Sequence, residues 1–218
     1  MKTNKIIGLL PASGMAKRLG GIPKFLFPVN NSQNLLQWHI EKMSDVCDEI
    51  RVSTRSVWMP LVKELNLPSN VSYYEIEPST MSDACKKMIN DDSKYLIGMP
   101  DTYMSGSDNF YKNLANSDYD ISMSIFKCSK ELFGKVGQVL FDENNILVDM
   151  LDKDKDCNWD YMWGAIGIKN IEIDETLQNP GIQIKALINN QKIGVIPEPG
   201  KYIDLGTFDG LKNFYGQK

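Results

Sequence analysis

Apolar and polar positions alternate between two periods along this chain. Residues 5–10 form a continuous apolar run, as in a strand buried on both faces. Residues 34–43 carry a helical spacing, 49–53 read as a strand, 57–65 as a helix and 71–76 as a strand. Thr80 opens a helix through residue 89, and Thr80-x-x-Asp83 has the spacing of a capping box with Asp in place of Glu or Gln. A short strand at 95–98 ends at Met99-Pro100-Asp101. Strand and helix alternate through this half, so a parallel sheet with right-handed crossovers is expected. The second half is richer in strands, at 121–127, 136–141, 146–150 and 162–168, with helices at 182–189 and 208–214. No repeat, low-complexity tract or Pro/Gly/Ser linker interrupts the pattern. A single domain over 1–218 is expected of an α/β layered chain of this length.

Composition and charge narrow the function. The net charge of −4 argues against an extended nucleic-acid surface, which needs a basic face, but leaves room for a local basic pocket. Cys47, Cys85, Cys128 and Cys157 are widely spaced, with no C-x-x-C, and His39 is the one histidine. A zinc site is therefore not expected, and free thiols in a reducing compartment are. No run of about 18 apolar residues appears, and the apolar run before Pro11 is too short for a signal-peptide core. The expectation is a soluble cytoplasmic protein with no membrane partner.

The first strand leads into Pro11-Ala-Ser-Gly-Met-Ala-Lys-Arg-Leu-Gly-Gly-Ile-Pro-Lys24. The carboxyl end of a parallel strand is where open α/β sheets bind ligands. Ala12, Ser13 and Gly14 are small enough to let backbone N–H groups approach a phosphate, and Lys17, Arg18 and Lys24 bring three cations. The dinucleotide fingerprint fails for want of a second glycine after Gly14. The P-loop fails because Ile22 follows Gly20 and Gly21. On these residues alone, a flexible basic turn and a phosphate loop are both open.

The same stretch resembles the (P/L)-A-x-G-x-G-T-R-[LM]…P-K signature of the nucleotidyltransferases that activate sugar phosphates. Its short Arg18-to-Lys24 gap is similar to the compact loops of N-acetylglucosamine-1-phosphate uridylyltransferases and methylerythritol-phosphate cytidylyltransferases. Ala16 stands where the family has glycine, and Lys17 where it has threonine. Three later segments resemble the family in the same order. Ile97-Gly-Met-Pro-Asp101 looks like the strand end whose aspartate binds magnesium. Val148-Asp-Met-Leu-Asp152-Lys153 looks like the (I/V)-x-E-K segment, with Asp152 for glutamate. Tyr202-Ile-Asp204-Leu-Gly-Thr207 looks like the W-x-D-(I/T)-G-T segment that supplies a second carboxylate. Glu77-Pro-Ser-Thr80-Met81-Ser-Asp-Ala84 is similar to the base-contacting G-T-A-D-A region, and Met162-Trp163-Gly164-Ala-Ile-Gly to the N-x-G-I strand that the acceptor approaches. Trp163 is equally readable as an acceptor platform and as a core residue.

The resemblance implies a three-layer α/β/α Rossmann-like nucleotidyltransferase fold with a mostly parallel mixed central sheet. It implies transfer of a nucleotidyl group from a nucleoside triphosphate to a sugar 1-phosphate, in nucleotide-sugar biosynthesis. Ala12, Ser13, Gly14 and Lys17 would bind the nucleotide, with Glu77, Thr80 and Met81 near its base. Arg18 would hold the β- and γ-phosphates, Lys24 the α-phosphate and the incoming oxygen, and Lys153 the acceptor phosphate. Gly164 would face the acceptor, and Asp101 and Asp204 would hold Mg²⁺. An acceptor phosphate is already ionised, so no protein nucleophile is required, which suits a chain with one histidine. A cytidylyltransferase for a phosphocholine-like or polyol phosphate is the alternative, and a non-catalytic nucleotide-binding domain a further one. The resemblance allows a homo-oligomer. It carries no expectation of the left-handed β-helix domain fused to some relatives.

Overall fold

The computed structural model describes residues 5–216. Four strands follow the expected βα alternation: β1 (Ile6–Pro11), β2 (Glu49–Thr54), β3 (Val71–Glu75) and β4 (Lys94–Ile97). They are connected by α1 (Leu35–Ser44), α2 (Met59–Glu64) and α3 (Met81–Met88). These strands pair in parallel in the order β3-β2-β1-β4. Two short elements come next, β5 (Thr102–Ser105) and α4 (Phe110–Ala115). The second half supplies β6 (Ile121–Lys127), the antiparallel hairpin of β7 (Gly137–Phe141) and β8 (Leu147–Asp152), and β9 (Tyr161–Ile168). The last elements are α5 (Pro180–Leu187), β10 (Ile193–Pro197), β11 (Lys201–Asp204) and α6 (Phe208–Tyr215).

The main sheet runs β10-β6-β9-β4-β1-β2-β3, with β7 and β8 extending from β9. Only β9 runs against its neighbours β4 and β6 on that path, so the sheet is mixed and mostly parallel. β5 and β11 form a separate antiparallel ribbon. The parity of β1 explains the three layers. Ile7 and Leu9 join a core with Cys85 and Met88 of α3 and Ile184 of α5. Leu10 joins a second core with Leu36, Ile40 and Met43 of α1, Val62 of α2 and Phe110, Tyr111 and Leu114 of α4. Apolar side chains on both faces produce the unbroken apolar run that marks this strand in the sequence. Each fully buried Leu or Ile contributes about 1.5–3 kcal/mol, which fixes the register of the inner strands.

Helix starts follow local chemistry. Asn34 caps α1 through a full capping box with Gln37, each side chain accepting from the other residue's backbone N–H. At α3 the Thr80 hydroxyl accepts from Asp83 N–H, but the Asp83 carboxylate reaches back to Ser79 N–H rather than Thr80 N–H. The expected box is thus displaced by one residue on its acidic side. α5 begins earlier than its apolar spacing predicts, because Asn179 caps it and Pro180 fits the first turn. No helix among the described residues is long and apolar enough to cross a membrane.

Candidate active site

Between β1 and β4 the connections depart in opposite directions. α1 leads from β1 out to β2, while α3 returns from β3 past β1 to β4. The chain leaving β4 runs the other way, through β5 and α4 to β6, so the connections from the carboxyl ends of these two paired strands diverge and leave a crevice, the usual ligand position in an open α/β sheet. A cavity of about 340 Å³ lies there, lined by the loop after β1, Lys24, residues 78–81, Met99 to Asp101, and Gln178.

The loop is anchored at its start and open at its centre. Ala12 N–H donates to Ser53 O at the end of β2, and Arg55 Nε donates to Ser13 O at 2.8 Å. The Ser13 hydroxyl is buried against that of Ser53, so its contribution to the cavity is backbone. Gly14 is exposed, and a Cβ on it would meet nothing within 4 Å. Open space in front of small residues is what a close-lying phosphate requires. Ala16 then takes φ 48, ψ 33, the left-handed conformation in which glycine is at ease and alanine is strained. Lys17 enters a short 3₁₀ turn (Lys17–Leu19), is exposed and does not line the cavity. The side chain of Arg18 lies outside what the structure describes.

The two aspartates meet through the β5–β11 ribbon. Asp101 immediately precedes β5, Asp204 ends β11, and the antiparallel register sets Asp204 opposite Thr102. Leu205 N–H donates to Asp101 O at 3.0 Å, closing the ribbon at that end. Lys24, at the start of a second 3₁₀ turn, has its Nζ 3.2 Å from Asp101 Oδ2. Gly206 lies among all three. A Cβ built on it would stand 2.7 Å from Asp204 Oδ1, 2.7 Å from Lys24 Nζ and 3.1 Å from Asp101 Oδ2. The missing side chain is what lets one cation and two carboxylates converge. Among the described residues no group of three or more His, Cys, Asp or Glu side chains could hold a metal. Two hard carboxylate donors fit a magnesium ion that keeps waters and takes phosphate oxygens as its remaining ligands.

His39 supports this arrangement from within the core. It is fully buried, with Nε2 2.8 Å from Thr102 O and Nδ1 2.8 Å from Tyr111 Oη. The carbonyl can only accept, so Nε2 carries the proton and Nδ1 accepts from the tyrosine. Burial pushes the imidazole down to about 4, against opposing pulls from the Thr102 carbonyl and the charge of Asp101. The ring is therefore neutral at pH 7, and it pins the backbone next to Asp101.

The other expected positions are distributed differently. Thr80 and Met81 line the cavity. Glu77 does not. Its carboxylate pairs with Arg55 and accepts from Ser56 N–H. Lys153 follows β8 with φ 54 and is exposed, away from the cavity lining. Gly164 lies within β9, where a Cβ would stand 2.6 Å from Phe126 Cε2 and 3.3 Å from Met104 Cε, so packing alone accounts for its size. Trp163 is buried in the core on the α3 and α5 face. All four cysteines are free thiols. Arg55, Gly206 and Gln178 escaped the sequence reading. Gly206 sat inside a quoted motif, whereas Arg55 and Gln178 belong to no local pattern.

No family model matches the chain, and no curated protein matches it by sequence. Solved structures do. A UDP-glucose pyrophosphorylase complexed with UDP-glucose superposes with a TM-score of 0.78 at 15% identity, covering 98% of this chain and all of its own. A protein from Bacillus anthracis, described as a glucose-1-phosphate thymidylyltransferase and solved with a sucrose, gives 0.77 at 14% identity over 97% of this chain and 94% of its own. The inositol-1-phosphate CTP transferase of T. maritima gives 0.72 at 14% identity over 99% of this chain and 96% of its own. With near-complete coverage in both directions, the chain has the fold of the sugar-phosphate nucleotidyltransferases.

Proposed function

We propose that this protein is a nucleotidyltransferase that joins a nucleoside triphosphate to a sugar 1-phosphate, giving a nucleoside diphosphate sugar and pyrophosphate. The observation that carries this reading is the convergence of Lys24 Nζ, Asp101 Oδ2 and Asp204 Oδ1 around Gly206, beside the open backbone at Gly14. An acceptor phosphate oxygen forms a bond to the α-phosphorus as the bond from that phosphorus to the β-phosphate oxygen breaks. Both partners are anions, so the protein's task is to hold them in line and neutralise their repulsion. Lys24 would bridge the α-phosphate and the incoming oxygen and Arg18 would meet the outer phosphates, whereas Lys17 and Lys153, exposed and off the cavity lining, would have to move towards it to meet a phosphate. Asp101 and Asp204 would hold Mg²⁺, which supplies charge neutralisation at the α-phosphoryl oxygen when bound. The whole chain then acts as one cytoplasmic catalytic domain.

The test is pyrophosphate release with magnesium across a panel of nucleoside triphosphates and phosphate acceptors. At least one sugar 1-phosphate should support turnover. Lys24→Ala should reduce it by about 10²–10³-fold while the unfolding midpoint stays near wild type. Near-normal turnover in that variant would remove Lys24 from the mechanism. A second reading, a cytidylyltransferase for a polyol phosphate, draws support from the likeness to the inositol-1-phosphate CTP transferase over 99% of this chain. Turnover with CTP and inositol phosphate, and with no sugar 1-phosphate, would select it. Nucleotide binding without pyrophosphate release from any pair would favour a non-catalytic domain.

A further inference from the structure

The cavity has a charged wall at Lys24 and Asp101 and a second wall, largely apolar, at Pro78, Met81 and Ala84. Ser79 and Thr80 also line this second wall, but their hydroxyls are committed. The Thr80 hydroxyl accepts from Asp83 N–H and donates to Glu175 O at 2.8 Å. The Ser79 hydroxyl donates to Asp83 Oδ2 at 3.2 Å. One further polar residue reaches the cavity here, Gln178, from the segment before α5. Its backbone is fixed on both sides. Gln178 O accepts from Met81 N–H, the first residue of α3, and its neighbour Asn179 caps α5. Its carboxamide makes no hydrogen bond among the described residues.

That combination selects a kind of ligand. A sugar or polyol presents hydroxyls in every direction and needs several polar partners. A nucleobase has two apolar faces and a polar edge, and an apolar wall with one free carboxamide matches it. A carboxamide offers one donor and one acceptor side by side, as the pairing edge of a base does. Resting on the nucleotidyltransferase reading above, we propose that Gln178 is the base-reading residue of this site. Its carboxamide pairs with the edge of the triphosphate's base while Pro78, Met81 and Ala84 cover the ring.

The experiment compares the full chain with Gln178→Leu, which keeps the length and removes both hydrogen-bonding groups. Binding of each magnesium–nucleoside triphosphate and of inorganic pyrophosphate is measured by calorimetry. KM for triphosphate and for acceptor is measured by pyrophosphate release. The variant should bind the preferred triphosphate about tenfold more weakly and bind pyrophosphate, which has no base, as wild type does. The spread of kcat/KM among ATP, CTP, GTP, UTP and dTTP should shrink towards one. An unchanged spread, or a rise in acceptor KM with triphosphate KM constant, overturns the assignment and leaves the nucleotidyltransferase reading intact. A wild-type chain that binds pyrophosphate but discriminates among no bases overturns it as well. A wild-type chain that binds no triphosphate at all overturns the reading beneath it.

Discussion

At the scale of single residues, the site depends on what two small side chains do and do not permit. Gly206 leaves the space in which Lys24, Asp101 and Asp204 meet. A methyl group there would contact the ends of flexible side chains rather than backbone, so those side chains can turn away. Gly206→Ala should keep the unfolding free energy within about 0.5 kcal/mol of wild type. Pyrophosphate release should fall at least tenfold because the carboxylates no longer face one cation. A parallel loss of stability would show that Gly206 serves the fold. Ala16 is the opposite case, a side chain where the backbone favours none. Its left-handed conformation predicts that Ala16→Gly stabilises the protein by about 0.5–1 kcal/mol, net of glycine's greater freedom when unfolded. A lower urea midpoint in the variant would contradict this. The two aspartates were legible in the sequence because each sits in a segment that resembles a family motif, Asp101 after a short apolar strand and Asp204 before Leu-Gly-Thr. Gln178 was not, because its place at the cavity comes from a backbone bond to Met81 across the chain.

At the scale of elements, legibility followed the number of buried faces and the length. β1 and β6 are apolar over most of their length, and β2 alternates Ile50 and Val52 with polar residues, so all three stood out. β5 and β11 have four residues each and α4 has six, too few for a period to declare itself. β10 was masked by Gly194 and Pro197, and the glycine is required there because a Cβ would run into the ring of Tyr119. His39 hydrogen-bonds α1 to β5, a packing role that no local spacing in the sequence displays. It has a measurable signature. The folded state holds His39 near 4 and the unfolded chain near 6.5, so the folded state resists protonation. Its contribution is complete above about pH 6.5 and is lost as pH falls towards 4, a change of roughly 3 kcal/mol. Unfolding by urea at a series of pH values should show this decline, and His39→Gln should flatten it. An equal slope in the variant would assign the decline to carboxylates instead. The Glu49 carboxylate, held near 2 chiefly by its hydrogen bond from Arg51, titrates in a lower window.

At the scale of the whole molecule, the sheet sets a gradient of order. β1, β4, β9 and β6 each have neighbours on both sides, whereas β3 ends the sheet and β8 pairs only with β7. Amide hydrogen exchange should therefore be slowest in β1, β4 and β9 and faster in β3 and β8. The reverse order would mean that the layers over β1 open first. β10 is the other end of the path, but Asn145 and Ile146 in the β7–β8 turn bond to it, so its protection should exceed that of β3.

The ribbon of β5 and β11 has a further consequence, in time rather than in space. Its strands come from the middle and the end of the described chain, and each brings one carboxylate. In a polypeptide emerging from the ribosome, β1 to β4 and the loop after β1 are made long before Asp204. Until β11 docks, Asp101 stands without Asp204 beside it. The pairing joins residues about a hundred positions apart, and contacts of that separation slow folding. The two carboxylates thus come together only once β11 has docked on β5.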